Sequence, residues 1–115
     1  MFDLDAHIGM HADALKLRSQ RAELIARNLA NADTPGFEAR DFDFREALSA
    51  VRSGGRAAAE PHLMYRVPVA PSVDGNTVDV QIEQAAFAEN TVKYQVTLQF
   101  VNSKLRGLMT ALTGQ

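Results

Sequence analysis

The fold of this chain is decided by one ten-residue stretch, Asn28-Leu29-Ala30-Asn31-Ala32-Asp33-Thr34-Pro35-Gly36-Phe37. Pro35 lacks a backbone N–H and disfavours helical backbone at Thr34, so a helix that arrives from upstream must end here. Pro35 and Gly36 fit the two central positions of a type II turn, in which glycine supplies the positive φ. The stretch therefore predicts a helix that stops at a tight turn.

Two asparagines precede this turn. Asn28 and Asn31 lie three residues apart, so their amides share one face of the last helical turns. Burying these amides beside Leu24 and Leu29 costs free energy unless each finds a hydrogen-bond partner. We expect the partners to be the carbonyls that close the helix or groups on another chain.

The segment upstream of the turn, residues 5–33, is predicted to be one long helix, because its apolar residues follow a helical period. They fall on two stripes, and one partner helix cannot cover both, so this helix needs at least two neighbours. The first stripe contains Leu4, Ile8, Ala12, Leu15, Ala22, Ile25, Ala26 and Leu29. The second stripe contains Met10, Ala14, Leu17 and Leu24.

Residues 34–76 are predicted to form an irregular connector with at most a short β element. Arg45–Arg52 is compatible with a short helix, and Tyr65–Val69 with an edge strand, since Pro68 excludes a central one. Pro71 and Asp74-Gly75 mark further turns. A loop of this length is acceptable in a small protein if it docks onto another part of the structure.

Residues 77–112 fit two patterns. Polar and apolar residues alternate from Val92 to Phe100, which is typical of a strand. The helical pattern covers more of the segment, and neither proline nor glycine interrupts Thr77–Arg106. We therefore favour a helix, with Asn76 as its N-cap. One stripe of this helix has heptad spacing and contains Val80, Phe87, Tyr94, Val101 and Leu108, joined by Leu98, Leu105 and Leu112. A second stripe, on the opposite side, contains Val78, Ile82, Ala85, Val92, Val96 and Phe100.

The predicted fold class is mainly α, with one domain over residues 1–115. Two long terminal helices form an elongated antiparallel hairpin or coiled coil. Such a hairpin buries one face of each helix, and the leftover apolar stripes indicate an interaction surface. We expect one stripe to close the hairpin and the other to meet a neighbouring subunit. The residues assigned to helix packing or assembly are Ile8, Leu15, Leu17, Leu24, Ile25, Val80, Phe87, Tyr94, Leu98, Val101, Leu105, Leu108 and Leu112.

Composition excludes several classes of function. The net charge of −2 gives no basic footprint for nucleic acid, and the chain of 115 residues has no cysteine for disulfides or thiolate metal sites. No apolar run is long enough to span a bilayer, and the first residues do not form a secretory signal. These rules alone predict a soluble cytoplasmic protein. Four cations of the first helix are interpreted as solvated charges or partner contacts: Lys16, Arg18, Arg21 and Arg27.

The sequence also offers no catalytic, cofactor or metal site. His7 and His11 have a spacing that can bind zinc, but no further ligand has matching spacing, so we interpret them as surface or interface histidines. Asp41, Asp43 and Glu46 lack the glycine turn and terminal glutamate of an EF-hand, which favours a solvated loop. No phosphate-binding or nucleophile motif is found. We expect neither an enzyme nor a small-molecule substrate.

The Asn28–Phe37 stretch resembles the N-terminal signature of bacterial flagellar axial proteins, the rod and hook family. Residues 65–68 and 71–79 are similar to the connector of a proximal rod protein of that family. Parts of residues 83–108, such as Ala88-Glu89-Asn90 and Tyr94-Gln95, resemble its C-terminal helix. The residues matched as family motif or turn are Asn28, Leu29, Asn31, Thr34, Pro35, Gly36, Phe37, Asp74, Gly75, Asn76, Val78 and Asp79.

This resemblance implies a structural component of the flagellar basal-body rod. Family members are exported by the flagellar type III apparatus without a cleaved signal peptide, which replaces the cytoplasmic prediction with a periplasmic rod. The implied partners are copies of the chain and other rod proteins, together with the rod-to-membrane-ring adaptor, the membrane ring and the export gate. The residues alone leave one alternative open, a soluble helical-hairpin adaptor or chaperone that binds a single partner.

Overall fold

The computed structural model describes residues 4–54, 64–66 and 72–114. In chain order these ranges contain α1 (Leu4–Ala30), β1 (Arg40–Asp41), α2 (Phe44–Gly54), β2 (Met64–Tyr65) and α3 (Val80–Thr113). The molecule measures 65 × 28 × 17 Å and has a radius of gyration of 17.9 Å. A compact chain of this length would have a radius of about 13 Å. The predicted mainly-α, elongated fold is confirmed.

The helices α1 and α3 form an antiparallel hairpin. Near the connector, Asn28 of α1 bonds Glu83 of α3. Towards the other end, the ring of His11 lies 4.6 Å from the ring of Phe100, measured between centroids. The sequence positions thus run in opposite directions along the two helices, as the prediction required.

The turn after α1 has the geometry expected from its proline and glycine. Gly36 has a φ of 73°, and the N–H of Phe37 donates to the carbonyl of Thr34 across 3.2 Å. The positive φ predicted for Gly36 is confirmed. Helical structure itself ends at Ala30, a few residues before Pro35, and gives way to turns.

A second turn packs directly on the first. Gly75 also has a positive φ, 76°, and the N–H of Gly36 donates to the carbonyl of Asp74 across 2.8 Å. A Cβ on Gly75 would lie 3.7 Å from the Cα of Gly36, so the two backbones are in contact. Residues far apart in the sequence therefore bring the end of α1 next to the start of α3.

The predicted start of the last helix is wrong. The helix was expected from Thr77 with Asn76 as N-cap, whereas α3 begins at Val80 and Asp79 is the N-cap. The Asp79 carboxylate accepts from the N–H groups of Gln81 and Ile82, at 3.0 and 3.3 Å. Asn76 is unavailable as a cap because its side chain is buried and bonded elsewhere.

The connector contains more regular structure than predicted. The possible helix at Arg45–Arg52 is longer, Phe44–Gly54, and Asp43 caps it by accepting from the N–H of Glu46 across 3.2 Å. β1 and β2 pair antiparallel, with Arg40 opposite Tyr65. Of the predicted edge strand Tyr65–Val69, the part after Arg66 lies outside the described residues.

The core explains why α1 carries two apolar stripes. Leu17 is buried against Phe42 and two residues of α2, Ala47 and Val51, with Leu24 at the edge of this cluster. The stripe that contains Leu17 and Leu24 is therefore covered by α2 of the same chain. The connector helix α2 is thus one of the two neighbours that the stripes of α1 require.

Two alanine substitutions of glycine should have opposite effects on folding. Gly36→Ala forces an L-residue into a left-handed conformation and should destabilise the fold by about 1–2 kcal/mol. Gly9→Ala replaces a glycine inside α1, where an added Cβ meets nothing within 4 Å. It should stabilise the fold by about 0.5–1 kcal/mol.

Both variants are compared by folding titrations with trimethylamine N-oxide, an osmolyte that favours compact states. The midpoint, followed by helical circular dichroism, should rise for Gly36→Ala and fall for Gly9→Ala. If the midpoint shifted equally and in the same direction for both variants, the left-handed conformation of Gly36 would not be the reason that this turn needs glycine.

Candidate functional site

The buried residues of α3 are polar. Glu83 is 0% exposed and Asn90 is 1% exposed, and they lie seven residues apart on one face of the helix. The Asn90 side-chain amide donates to the carbonyl of Arg18 on α1 across 2.9 Å. The carboxylate of Glu83 accepts from the side-chain amide of Asn28 across 3.1 Å. Directional polar contacts, rather than apolar burial alone, hold α3 in register with α1.

Four charged side chains join the hairpin to the connector. Arg66, the residue after β2, donates its Nε to Glu83 and its Nη2 to Asp41, the latter across 2.8 Å. Arg21 of α1 donates its Nη2 and Nε to the same aspartate, at 3.0 and 3.1 Å. Two positive and two negative groups balance, which buried charges require. We call Arg21, Asp41, Arg66 and Glu83 the junction network.

The junction network perturbs the pKa of Arg21. The hydrogen bond with Asp41 raises the pKa of Arg21 above its ordinary value, although burial acts in the opposite direction. Arg18, one turn away, has its guanidinium 3.9 Å from the centre of the Phe44 ring, and burial lowers its pKa. Both groups keep their positive charge, so they serve as fixed counter-charges.

The side-chain amide of Asn28 forms two hydrogen bonds with the backbone of the connector, as a residue of a paired β-strand would do. Its Nδ2 donates to the carbonyl of Arg40 across 2.7 Å, and its Oδ1 accepts from the N–H of the same residue across 3.1 Å. The partner expected for Asn28, a helix-closing carbonyl or another chain, is therefore wrong. The expectation is confirmed for Asn31, whose Nδ2 donates to the carbonyl of Arg27 across 2.8 Å.

Asn76 closes the end of α1. Its Nδ2 faces the carbonyls of Asn31, Ala32 and Thr34, at 2.9, 3.0 and 2.7 Å. Its Oδ1 accepts from the N–H of Val78 across 2.8 Å, a local turn that precedes α3. One side chain from the far end of the connector thus bonds carbonyls of the turn that follows α1, two of which also accept a backbone N–H.

The remaining motif residues surround this point. The Thr34 hydroxyl donates to Asn31 Oδ1 across 3.1 Å, and Asp74 accepts from the N–H of Asn76 at the same distance. Pro35 is exposed. Leu29, Phe37 and Val78 are half-buried. The structure therefore brings together the two motifs that the sequence placed some forty residues apart.

The sequence interpretation missed the junction network. Arg21 was assigned to solvated charge or partner contact, and Asp41 to a solvated acidic loop, and both assignments are wrong. In the same acidic cluster Asp43 caps α2 and Glu46 is exposed. Arg18 is not a simple solvated charge either, whereas Lys16 and Arg27 are exposed. No periodicity signals such a network, because its members come from four separate segments.

The heptad stripe of α3 lies outside the seam with α1 or at its edge. Tyr94, Val101 and Leu108 are half-buried. The other members are exposed: Val80, Phe87, Leu98, Leu105 and Leu112. On α1, Ile25 is fully buried. Ile8, Leu15 and Leu29 are half-buried. Helix packing and assembly residues therefore divide into a buried set and an exposed set.

The exposed set points away from the connector. Residues two positions apart on a helix point about 200° apart. Val80 therefore points nearly opposite to Ile82, which lies beside Asp41 and Arg66 of the connector. Leu15 is related in the same way to Leu17, which α2 covers. We define the open face as the residues on this uncovered side: Ile8, Leu15 and Leu29 of α1, with Val80, Phe87, Leu98 and Leu105 of α3.

The open face carries no charge along α3. Glu89, Lys93, Lys104 and Arg106 each point about 90° or more away from the row Val80–Phe87–Leu98–Leu105. Glu83, the remaining charged residue of this helix, lies about 50° from the row, but it is buried against α1. Gln84, Thr91, Gln95 and Asn102 border the row. A long, uncharged apolar strip of this kind is typical of a protein interface.

Nothing in the described residues resembles a catalytic or metal site. Two surface clefts of about 350 and 370 Å³ share Tyr65 of the β ribbon. The charged residues that line the first are Arg27, Glu38 and Arg40, and those that line the second are Asp41, Asp43 and Arg66. No cluster of three metal-binding side chains occurs among the described residues, and the side chain of His7 is not among them. No helix among them is long and apolar enough to cross a membrane.

These features define a class: a helical structural protein that is held together by a polar junction and offers a long apolar face for packing. Residues 8–37 match the model of the family described as "Flagella basal body rod protein". The chain is 43% identical over 132 residues to flagellar basal body rod protein FlgB of Salmonella typhimurium, covering 96% of each. It is 44% identical over 126 residues to FlgB of Aeromonas hydrophila, again covering 96% of each.

A third similar protein is FlgB of Cereibacter sphaeroides, 43% identical over 121 residues that cover 94% of each chain. The chain belongs to the FlgB family of flagellar basal body rod proteins. It is accordingly a structural protein of the basal body and not an enzyme.

Removing the side chain of Asn76 should weaken the junction. Asn76→Ala removes the buried side-chain donor that bonds the carbonyls after α1, and it should cost about 1–3 kcal/mol. Asn102→Ala is the matched control, because Asn102 is an exposed residue of α3 and should change the free energy of folding by less than about 0.5 kcal/mol. Osmolyte folding titrations measure both, and equal midpoints would contradict the capping role of Asn76.

Proposed function

We propose that this chain is a subunit of the proximal part of the flagellar rod. It assembles with copies of itself and with other rod proteins into the periplasmic drive shaft, whose lumen is the export channel. The proposal is supported by the relatives, which are named as basal body rod proteins, and by one observation, the open face. Flagellum-dependent motility then depends on the packing of this face.

The energetics favour packing over exposure. Each large apolar side chain that leaves water contributes about 1.5–3 kcal/mol. Exposed apolar side chains extend along α3 from Val80 to Leu112. Because the row is uncharged, a neighbouring helix can approach it without desolvating an ion. Contacts that join different surfaces of successive subunits build open helical assemblies, and a rod is such an assembly.

The finer assignments follow from the same proposal. The contacts beyond the rod are with the rod-to-membrane-ring adaptor, the membrane ring and the export gate. The chain reaches the periplasm through the flagellar type III apparatus, without a cleaved signal peptide. Its lack of cysteine is consistent with this route, since no disulfide could obstruct an unfolded chain in a narrow channel. The adaptor alternative has no observation in its favour.

A charge on the open face should prevent assembly. Leu98→Asp and Leu105→Asp each place a carboxylate where a neighbour would have to desolvate it. We expect loss of rods and of motility with normal expression, measured by basal-body isolation and swimming assays. Ser103→Asp is the matched control, because Ser103 is exposed and lies about 140° from Leu98 around α3. Normal rods in both leucine variants would show that this row is not an interface.

The isolated chain should be only weakly helical. The molecule is long and thin, so many ordered residues bury little surface in a dilute monomer. Helical circular dichroism should rise with protein concentration as open faces become covered, in parallel with size-exclusion profiles. A sharp, cooperative melt of a dilute monomer would instead indicate a self-sufficient protein such as an adaptor.

A further inference from the structure

We propose that the ion pair between Arg66 and Glu83 makes closure of the α1–α3 hairpin conditional on docking of the connector. Glu83 is 0% exposed in the seam between the two long helices. Its carboxylate accepts from Asn28, which is neutral, and from Arg66, which belongs to the connector. Among the described residues, Arg66 is the cation that bonds this carboxylate directly.

The cost of closing the hairpin without Arg66 follows from burial. An ionised carboxylate in the seam would then have only the amide of Asn28 as a side-chain partner, and burying an unpaired charge is strongly unfavourable. Removing one partner of a fully buried ion pair shifts a folding equilibrium by about a hundredfold or more, and because the side chain of Arg66 is 22% exposed, the shift here should be smaller. The hairpin therefore remains largely open until the connector supplies its positive charge.

The segment of the connector that carries Arg66 in turn depends on the hairpin. The described backbone contact of this segment is short: Met64 and Tyr65 pair with β1, and the N–H of Arg66 donates to the carbonyl of Ala39 across 2.9 Å. A two-residue ribbon has little stability of its own. Arg66 strengthens this contact by bonding both Asp41 and Glu83. By linkage, whatever closes the hairpin stabilises docking by the same factor.

The identity of residue 83 is what makes closure conditional. An apolar side chain in this buried position would favour the hairpin whether or not the connector was docked, and such replacements of buried ion pairs are often neutral or stabilising. A glutamate has the opposite property, because its burial is acceptable only with a positive partner. This coupling acts within a single chain, so it does not depend on the proposed role in the rod.

Closure can be measured far from the ion pair. The rings of His11 and Phe100 lie 4.6 Å apart, and Phe100 is about 25 Å along α3 from Glu83. Because the chain has no cysteine, His11→Cys with Phe100→Cys gives a unique pair that a short bis-maleimide can bridge in the closed hairpin. The yield of the cross-linked product is compared among variants at one trimethylamine N-oxide concentration, chosen so that half of the parent double-cysteine molecules have a closed hairpin. Helical circular dichroism is recorded in parallel.

The test compares four proteins that each contain the two cysteines: the parent, Arg66→Ala, Glu83→Gln and the double variant. Arg66→Ala should lower the ratio of closed to open hairpin by about tenfold to a hundredfold. Glu83→Gln removes the charge that needs compensation, so it should lower the ratio by no more than about threefold. In the double variant closure should return to within about threefold of Glu83→Gln alone, because no buried charge remains.

The exposed ion pair between Lys93 and Glu89 on the same helix is the matched control. Lys93→Ala, Glu89→Gln and their combination should leave closure nearly unchanged and combine additively. The proposal is overturned if Arg66→Ala does not open the hairpin, or if the double variant is as open as Arg66→Ala. It is also overturned if Glu83→Gln alone opens the hairpin as far as Arg66→Ala does.

Discussion

The carboxylate of Glu83 is buried, so it needs a positively charged partner, and much of the structure is arranged around this ion pair. Asn28 presents an amide from α1, and Arg66 reaches the carboxylate from the connector. Arg66 is also held by Asp41, which Arg21 pairs in turn. Since each charge in the junction network needs the next one, α1, α3 and the connector form one unit rather than a hairpin with a loose loop.

A polar seam has a consequence for the apolar residues of α3. Glu83 and Asn90 occupy the positions closest to α1, so the large apolar side chains of the helix lie at the edges of the seam or outside it. Polar contacts are directional and specify one register, whereas apolar contacts tolerate sliding. The molecule thus fixes its internal geometry with hydrogen bonds and ion pairs. It leaves Val80, Phe87, Leu98 and Leu105 available for another surface.

The connector has two roles in this arrangement. The helix α2 covers Leu17 and the stripe around it, which closes one side of α1. The turns at Gly36 and Gly75, together with Asn76, tie the two helix ends to each other. The helix α2 therefore covers the side of α1 that points away from the open face, and the turns close one end of the hairpin. An asymmetric subunit of this kind has one stabilised side and one side for packing.

The sequence by itself determined the elements with a local cause. Pro35 and Gly36 form the turn that follows α1 through their own backbone restrictions, and heptad spacing in Val80–Leu112 favours a long helix over a strand. It could not determine which stripe each helix buries, that Asn76 bonds carbonyls after α1 instead of capping α3, or that Arg21, Asp41, Arg66 and Glu83 meet. Only the tertiary structure decided these points. Charge pairing and capping depend on distances between segments that lie far apart along the chain, and no local pattern encodes such distances.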